Sequence, residues 1–120
     1  CRMPRSPSAA EQLRRLQKHI DKGNAEAQLM LGKFYQSGGM GLRKNPKRAF
    51  QLYELAAMQG HAHAESNLGR IYNNGQGVKI DYKTAAQWYR RAAEQGLPQA
   101  QSNLGMMLRE GKGVVQSHDE

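Results

Sequence analysis

The sequence predicts an all-α fold: an α/α superhelical solenoid of about two and a half repeats behind an N-terminal capping helix. Three observations carry this. Gly23-Asn24-Ala25-Glu26-Ala27-Gln28-Leu29-Met30-Leu31-Gly32 returns in altered form from Gly60 to Gly69 and again from Gly96 to Gly105, offsets of 37 and then 36 residues. Such a period belongs to stacked helix pairs, none of which buries its apolar face alone. Within each copy, apolar residues recur at helical spacing, as in Ala64, Leu68, Ile71 and Tyr72. Capping residues and glycines punctuate those stripes at matching places.

Residues 1–8 hold two prolines, two serines and two arginines without apolar periodicity, and read as a flexible tether. A capping helix follows over 9–22, with Leu13, Leu16, Gln17 and Ile20 on one face and Gly23 as its stop. Counted back from the closing glycine, Leu16 falls where Tyr53 and Tyr89 fall, so this helix is a degenerate half-repeat.

Repeat 1 spans 23–59, repeat 2 spans 60–95, and a partial repeat 3 with its tail spans 96–120. The first helices carry the stripes Ala27, Leu31, Phe34, Tyr35; Ala64, Leu68, Ile71, Tyr72; and Ala100, Leu104, Met107, Leu108. A glycine lies inside each, at Gly32, Gly69 and Gly105. Glycine inside a helix costs about 1 kcal/mol relative to alanine, so its recurrence implies a close neighbour that a Cβ would block. The second helices run from Pro46 to about Gln59 and from Tyr82 to about Gln95, with Asn45 and Asp81 as caps. Their stripes are Ala49, Leu52, Tyr53, Ala56, Ala57 and Ala85, Trp88, Tyr89, Ala92, Ala93. The connecting loops hold Gly75-Gln76-Gly77, Gly111-Lys112-Gly113 and the one-residue-longer Gly38-Gly39-Met40-Gly41. They lack the preceding strand and the following Lys-Ser/Thr of a phosphate loop. Repeat 3 has no second helix in this sequence, so part of Leu104, Met107 or Leu108 is expected to lack cover. That end is a candidate contact for a partner, a second copy in a homo-oligomer, or further chain.

The pattern Ala62-His63-Ala64, Leu68-Gly69, Tyr72, Gly75-Gln76-Gly77-Val78, Asp81, Lys83, Ala85, Trp88-Tyr89, Ala92-Ala93, Gly96 resembles the SEL-like repeat family, relatives of tetratricopeptide repeats. The resemblance covers 23–114; repeat 1 departs by its longer loop and by Leu52 at the Trp position. It implies a superhelix that mediates protein–protein interactions, often in bacterial envelope or signalling complexes. A cysteine-rich branch has been credited with enzymatic activity, but the single cysteine here cannot supply its disulfides.

The chain carries 18 Lys and Arg against 10 Asp and Glu, a formal charge of +8. It is graded: +4 over 1–22, +3 over 23–59, +2 over 60–95 and −1 over 96–120, counting Lys and Arg against Asp and Glu. No apolar run reaches the length of a membrane-spanning helix. Cys1 followed by Arg2-Met3-Pro4-Arg5-Ser6-Pro7-Ser8 resembles a mature bacterial lipoprotein, with Cys1 as the lipidated residue and a polar tether after it. The other reading is that Cys1 is merely where this sequence starts. The first reading places the protein on the periplasmic side of a bacterial membrane, anchored to the outer membrane; the second leaves it cytoplasmic.

No residue set supports catalysis, a metal or a cofactor. His61 and His63 lie two apart at a helix start, where capping or surface roles outweigh chelation; His19 and His118 stand apart. Carboxylates are scattered, and no serine lies in a nucleophile motif. Binding candidates lie on the outer stripe of the first helices: Lys33, His63, Asn67, Arg70, Asn74 and Asn103, with Glu26, Met30, Ser37, Gln99, Met106 and Glu110 on the same rungs. The family's first helices line the concave face. There, asparagine amides suit a peptide backbone and Lys or Arg a carboxylate. Arg43, Lys44, Lys47 and Arg48 form a basic patch at a helix N-terminus, against the helix dipole. Nucleic acid is not expected as a partner, because Tyr53, Tyr72, Trp88 and Tyr89 belong to the core pattern. The function read is a protein- or peptide-binding scaffold; the rivals are a cell-wall-directed envelope enzyme or carbohydrate-binding protein, and a cytosolic basic adaptor for an anionic partner.

Overall fold

The computed structural model describes residues 8–113, so Cys1, His118 and the tail lie outside the described residues. Six helices of 13 residues follow one another: α1 Ala9–Asp21, α2 Ala25–Ser37, α3 Pro46–Met58, α4 Ala62–Asn74, α5 Tyr82–Glu94 and α6 Pro98–Glu110. Each is about 20 Å long at 1.5 Å per residue. No strand occurs among the described residues. Helices adjacent in sequence pack on one another, most extensively α2 on α3 and α4 on α5.

Local chemistry sets each start. Side chains of Ser8, Asn24, Asn45, His61 and Asp81 each accept the backbone N–H three residues on, at 3.0–3.3 Å, which relieves one orphan donor per helix. Ser8 is therefore a cap of α1 rather than part of the tether. Leu97 makes no such bond; Pro98 opens α6 instead. Gln59 and Gln95, expected as the last helical residues, are the C-caps. The loop after α2 absorbs its extra residue with left-handed backbone at Met40 (φ 57°) and Gly41 (φ 74°). Its exit is then the same as in the shorter loop: Asn45 N–H donates to Tyr35 O at 2.8 Å, and Asp81 N–H to Tyr72 O at 2.9 Å.

The core falls into two clusters. Leu29, Ala49, Tyr53, Ala56, Ala57, Ala64, Leu68 and Ile71 form one; Ala85, Ala86, Tyr89, Ala92, Ala100 and Met107 form the other. The helical glycines explain how thin layers of alanine and tyrosine close up. A Cβ on Gly32 would lie 2.7 Å from the Tyr53 ring, and one on Gly69 would lie 2.7 Å from the Tyr89 ring. Gly105 does not match them: the nearest atom to its Cβ position is Arg109 Nη1 at 3.9 Å.

Polar residues also enter the core, which the apolar stripes did not announce. Gln28 and Glu65 occupy one repeat position and are both buried. Gln59 Nε2 donates to Gln28 Oε1 at 3.0 Å, and Gln95 Nε2 donates to Glu65 Oε1 at 2.7 Å. Each bond latches the start of a first helix to the end of the second helix in its repeat. In α1, Leu13, Leu16 and Ile20 are half-buried, but Gln17 is exposed and donates to Asp21 rather than facing the stack.

Candidate functional site

The first helices carry a groove of about 1040 Å³, lined by Lys33, Gln36 and Ser37 of α2, by His63, Ser66, Asn67 and Arg70 of α4, and by Pro98, Gln99, Ser102 and Asn103 of α6. No residue of α3 or α5 reaches it. That division follows from helical periodicity, because the buried stripe of each first helix faces a second helix and leaves the flanking stripe outward.

Of the six residues expected there, Lys33, His63, Asn67, Arg70 and Asn103 lie in this groove. Asn74 does not; at the last position of α4 it is exposed and accepts from Asn73 Nδ2 at 3.2 Å. Met106 and Glu110 also fall outside the groove. Met30 and Glu26 turn to a second, smaller groove of about 420 Å³ near α1, with Leu16, Phe34 and Met40. Gln36, Ser66 and Ser102 were missed, because the spacing rule followed one stripe and the lining is two stripes wide.

Charge in the large groove has one sign. Lys33 and Arg70 occupy matching repeat positions on neighbouring helices, His63 lies beside them, and no carboxylate lines the groove. Asn67 Oδ1 accepts from Arg70 Nη2 at 2.8 Å, which fixes the guanidinium. Beneath it lie two tyrosines. Burial pushes the Tyr53 phenol up to about 12 and also raises Tyr89, while the Arg70 charge acts on both in the other direction. Both stay neutral donors near pH 7. Tyr53 donates to Gln36 Oε1 at 2.8 Å, and Gln36 Nε2 donates to Gln76 Oε1 at 3.0 Å, tying the groove wall to the next repeat's loop.

His61 caps α4 through Nδ1, which accepts from Ala64 N–H at 3.3 Å, so its Nε2 points to Glu26 Oε2 at 2.7 Å. This bond, then the charges of His61, His63 and Lys33, hold the Glu26 carboxyl below its usual range. Among the described residues no group of three or more His, Cys, Asp or Glu is placed to hold a metal, and no helix is long and apolar enough to cross a membrane. Arg43, Lys44, Lys47 and Arg48 lie on the loop and first turn expected for them.

The Sel1 repeat profile matches residues 25–61, 62–97 and 98–120. Two solved structures share the architecture. One is c5321, a protective antigen present in uropathogenic Escherichia coli strains displaying an SLR fold, with TM-score 0.84 and 45% identity over 88% of this chain. The other is a Sel1 repeat protein from Oxalobacter formigenes, with TM-score 0.82 and 36% identity over 88% of this chain. This chain spans only 22% and 43% of their lengths. No curated protein matches it. Sel1 repeats generally mediate protein–protein interactions. Three consecutive matches, the first two on the helix pairs α2–α3 and α4–α5 and the third opening on α6, place this chain in the Sel1 repeat family.

Proposed function

We propose that the chain is a docking scaffold whose partner segment lies in the groove of α2, α4 and α6. The supporting observation is the lining itself: the cations Lys33 and Arg70 and several side-chain amides, with no carboxylate. An extended, acidic peptide segment suits such a surface. Its carboxylates meet Lys33 and Arg70 while its backbone amides meet Asn67 and Asn103. The test is capture of a partner from the source organism's membrane fraction by the full chain. Asn67→Ala with Arg70→Ala should lose that partner while the helical circular dichroism stays unchanged; an unaffected capture would refute the groove.

The same reading tethers the scaffold by a lipid on Cys1 at the periplasmic face of a bacterial membrane, so that docking takes place near the bilayer. Its support is the N-terminal sequence alone, since Cys1 lies outside the described residues. Intact-mass spectrometry of the native protein decides it: a diacylglyceryl mass increment on Cys1 is expected, and an unmodified thiol or residues upstream of Cys1 would rule it out.

A further inference from the structure

The loops after α4 and α6 each seat on the start of the preceding second helix, so loop and helix start form one continuous edge. A methyl added to Gly77 would stand 3.1 Å from the Pro46 backbone and 3.3 Å from Lys47 N, and one on Gly113 would collide with the Tyr82 carbonyl. This tiling brings basic residues at matching repeat positions into line: Arg43 with Lys79, and Lys47 with Lys83, with Lys44 beside them. All five are exposed, and among the described residues none has a carboxylate within ion-pair distance. Of the two carboxylates of this edge, Asp81 also feels the Lys83 charge, and both hold other partners. Asp81 caps α5, accepting from Thr84 N–H at 3.1 Å and Thr84 Oγ1 at 2.8 Å, and Glu110 holds Lys112 at 2.9 Å.

Two features distinguish this row from an ordinary solvated surface. Lys47 and Lys83 lie in the first turns of α3 and α5, where the positive end of the helix dipole disfavours a cation. The other well-capped helices, α1, α2 and α4, carry Glu11, Glu26 and Glu65 there. Ile80 is also 50% exposed between Lys79 and Asp81, at the position matching Lys44. An apolar side chain among cations suits the boundary between lipid headgroups and acyl chains. Phosphodiester recognition gives it no use, and no Phe, Tyr or Trp among the described residues is exposed for stacking on bases.

We propose that this loop edge docks on an anionic lipid bilayer, with Arg43, Lys44, Lys47, Lys79 and Lys83 meeting headgroup phosphates and Ile80 entering the interface. The test is co-sedimentation of the full 120-residue chain, carrying Cys1→Ser, with phosphatidylcholine vesicles with or without phosphatidylglycerol. Binding should require the anionic lipid and weaken as salt rises. Lys47→Glu with Lys83→Glu should lower it at least about tenfold. Ile80→Ser should lower it while leaving the salt dependence intact. Lys18→Glu with Arg90→Glu makes the same charge change away from this edge and should alter binding little. Lys44→Gln with Lys79→Gln gives a gentler pair should the reversals disturb folding. Equal binding to neutral vesicles, equal loss in the control pair, no effect of Ile80→Ser, or tighter binding to duplex DNA than to anionic vesicles would each overturn the proposal. The edge and the groove are different surfaces, so partner capture by the edge variants separates the two.

Discussion

Gly69 and Gly105 occupy the same place in two copies of one helix, yet their surroundings differ. At Gly69, as at Gly32, a tyrosine ring fills the space a Cβ would take. At Gly105 no ring lies over the backbone, Leu108 is 43% exposed, and in α6 only Ala100 and Met107 are buried. The conformational cost of a helical glycine, about 1 kcal/mol, is therefore offset by packing in two copies and not in the third among the described residues. Among the described residues, what the motif contributes depends on the helix packed against it. In a stack of this kind, stability belongs to interfaces between neighbouring helices rather than to the motif.

The largest test removes the ring. Tyr53 is fully buried and touches Gly32, so Tyr53→Ala should cost about 3–5 kcal/mol in chemical denaturation. A loss below about 1 kcal/mol would mean that the helix pair closes without it. The next test adds a methyl. Gly69→Ala forces the Tyr89 ring aside and should destabilise by about 1–3 kcal/mol, less the gain in helix propensity. Gly105→Ala meets only an ordinary contact at 3.9 Å and should stabilise by up to about 1 kcal/mol. Shifts of the same sign would break the comparison.

A finer contrast separates the two closed pairs. Tyr53 hydrogen-bonds to Gln36, but the matching residue in repeat 2 is Asn73, one methylene shorter. The Tyr89 hydroxyl has no protein partner among the described residues, and Asn73 Oδ1 is buried without one. Asn73→Gln should let the amide reach Tyr89 and raise stability by about 1 kcal/mol. A neutral or negative change in denaturation midpoint would show that the space beside Tyr89 does not admit the longer chain.

These contrasts also show which features the sequence could reveal. The helices, their glycine stops and the outward face of the first helices were legible, because each follows from a period or a cap within one segment. Gln28 and Glu65 were not: polar residues read as surface, and their partners Gln59 and Gln95 lie 31 and 30 residues away in sequence, at the far ends of other helices. Leu29 is buried although Ser66 and Ser102 at the same position line the groove, so the other copies misled. Gly105 is open among the described residues, which end before any second helix of its repeat, although the glycine itself promised a close neighbour. Asn74 lies outside the groove for another reason: the four-residue step carried the stripe one turn further, to the end of α4.

The smallest expected effect at neutral pH concerns the paired latches. Gln28–Gln59 is neutral, whereas Glu65–Gln95 buries a carboxyl at the same place. Burial raises the Glu65 carboxyl, against the bond from Gln95 and the charges of Arg91 and His61, with Glu94 adding to the rise. The folded chain therefore holds this proton more tightly than the unfolded chain. Its contribution is fully present below the ordinary carboxylate range and is lost as pH rises through the raised value. Glu26 has the opposite sign: its lowered carboxyl stabilises the fold above the ordinary range and loses that contribution on acidification. Glu65→Gln turns the second latch into a copy of the first. In urea titrations across the acidic range it should remove the fall in stability with rising pH, while Glu26→Gln should remove part of the loss at the acid end. If Glu65→Gln leaves the pH profile unchanged, the carboxyl is not desolvated in the fold, and the two latches differ in charge without differing in energetics.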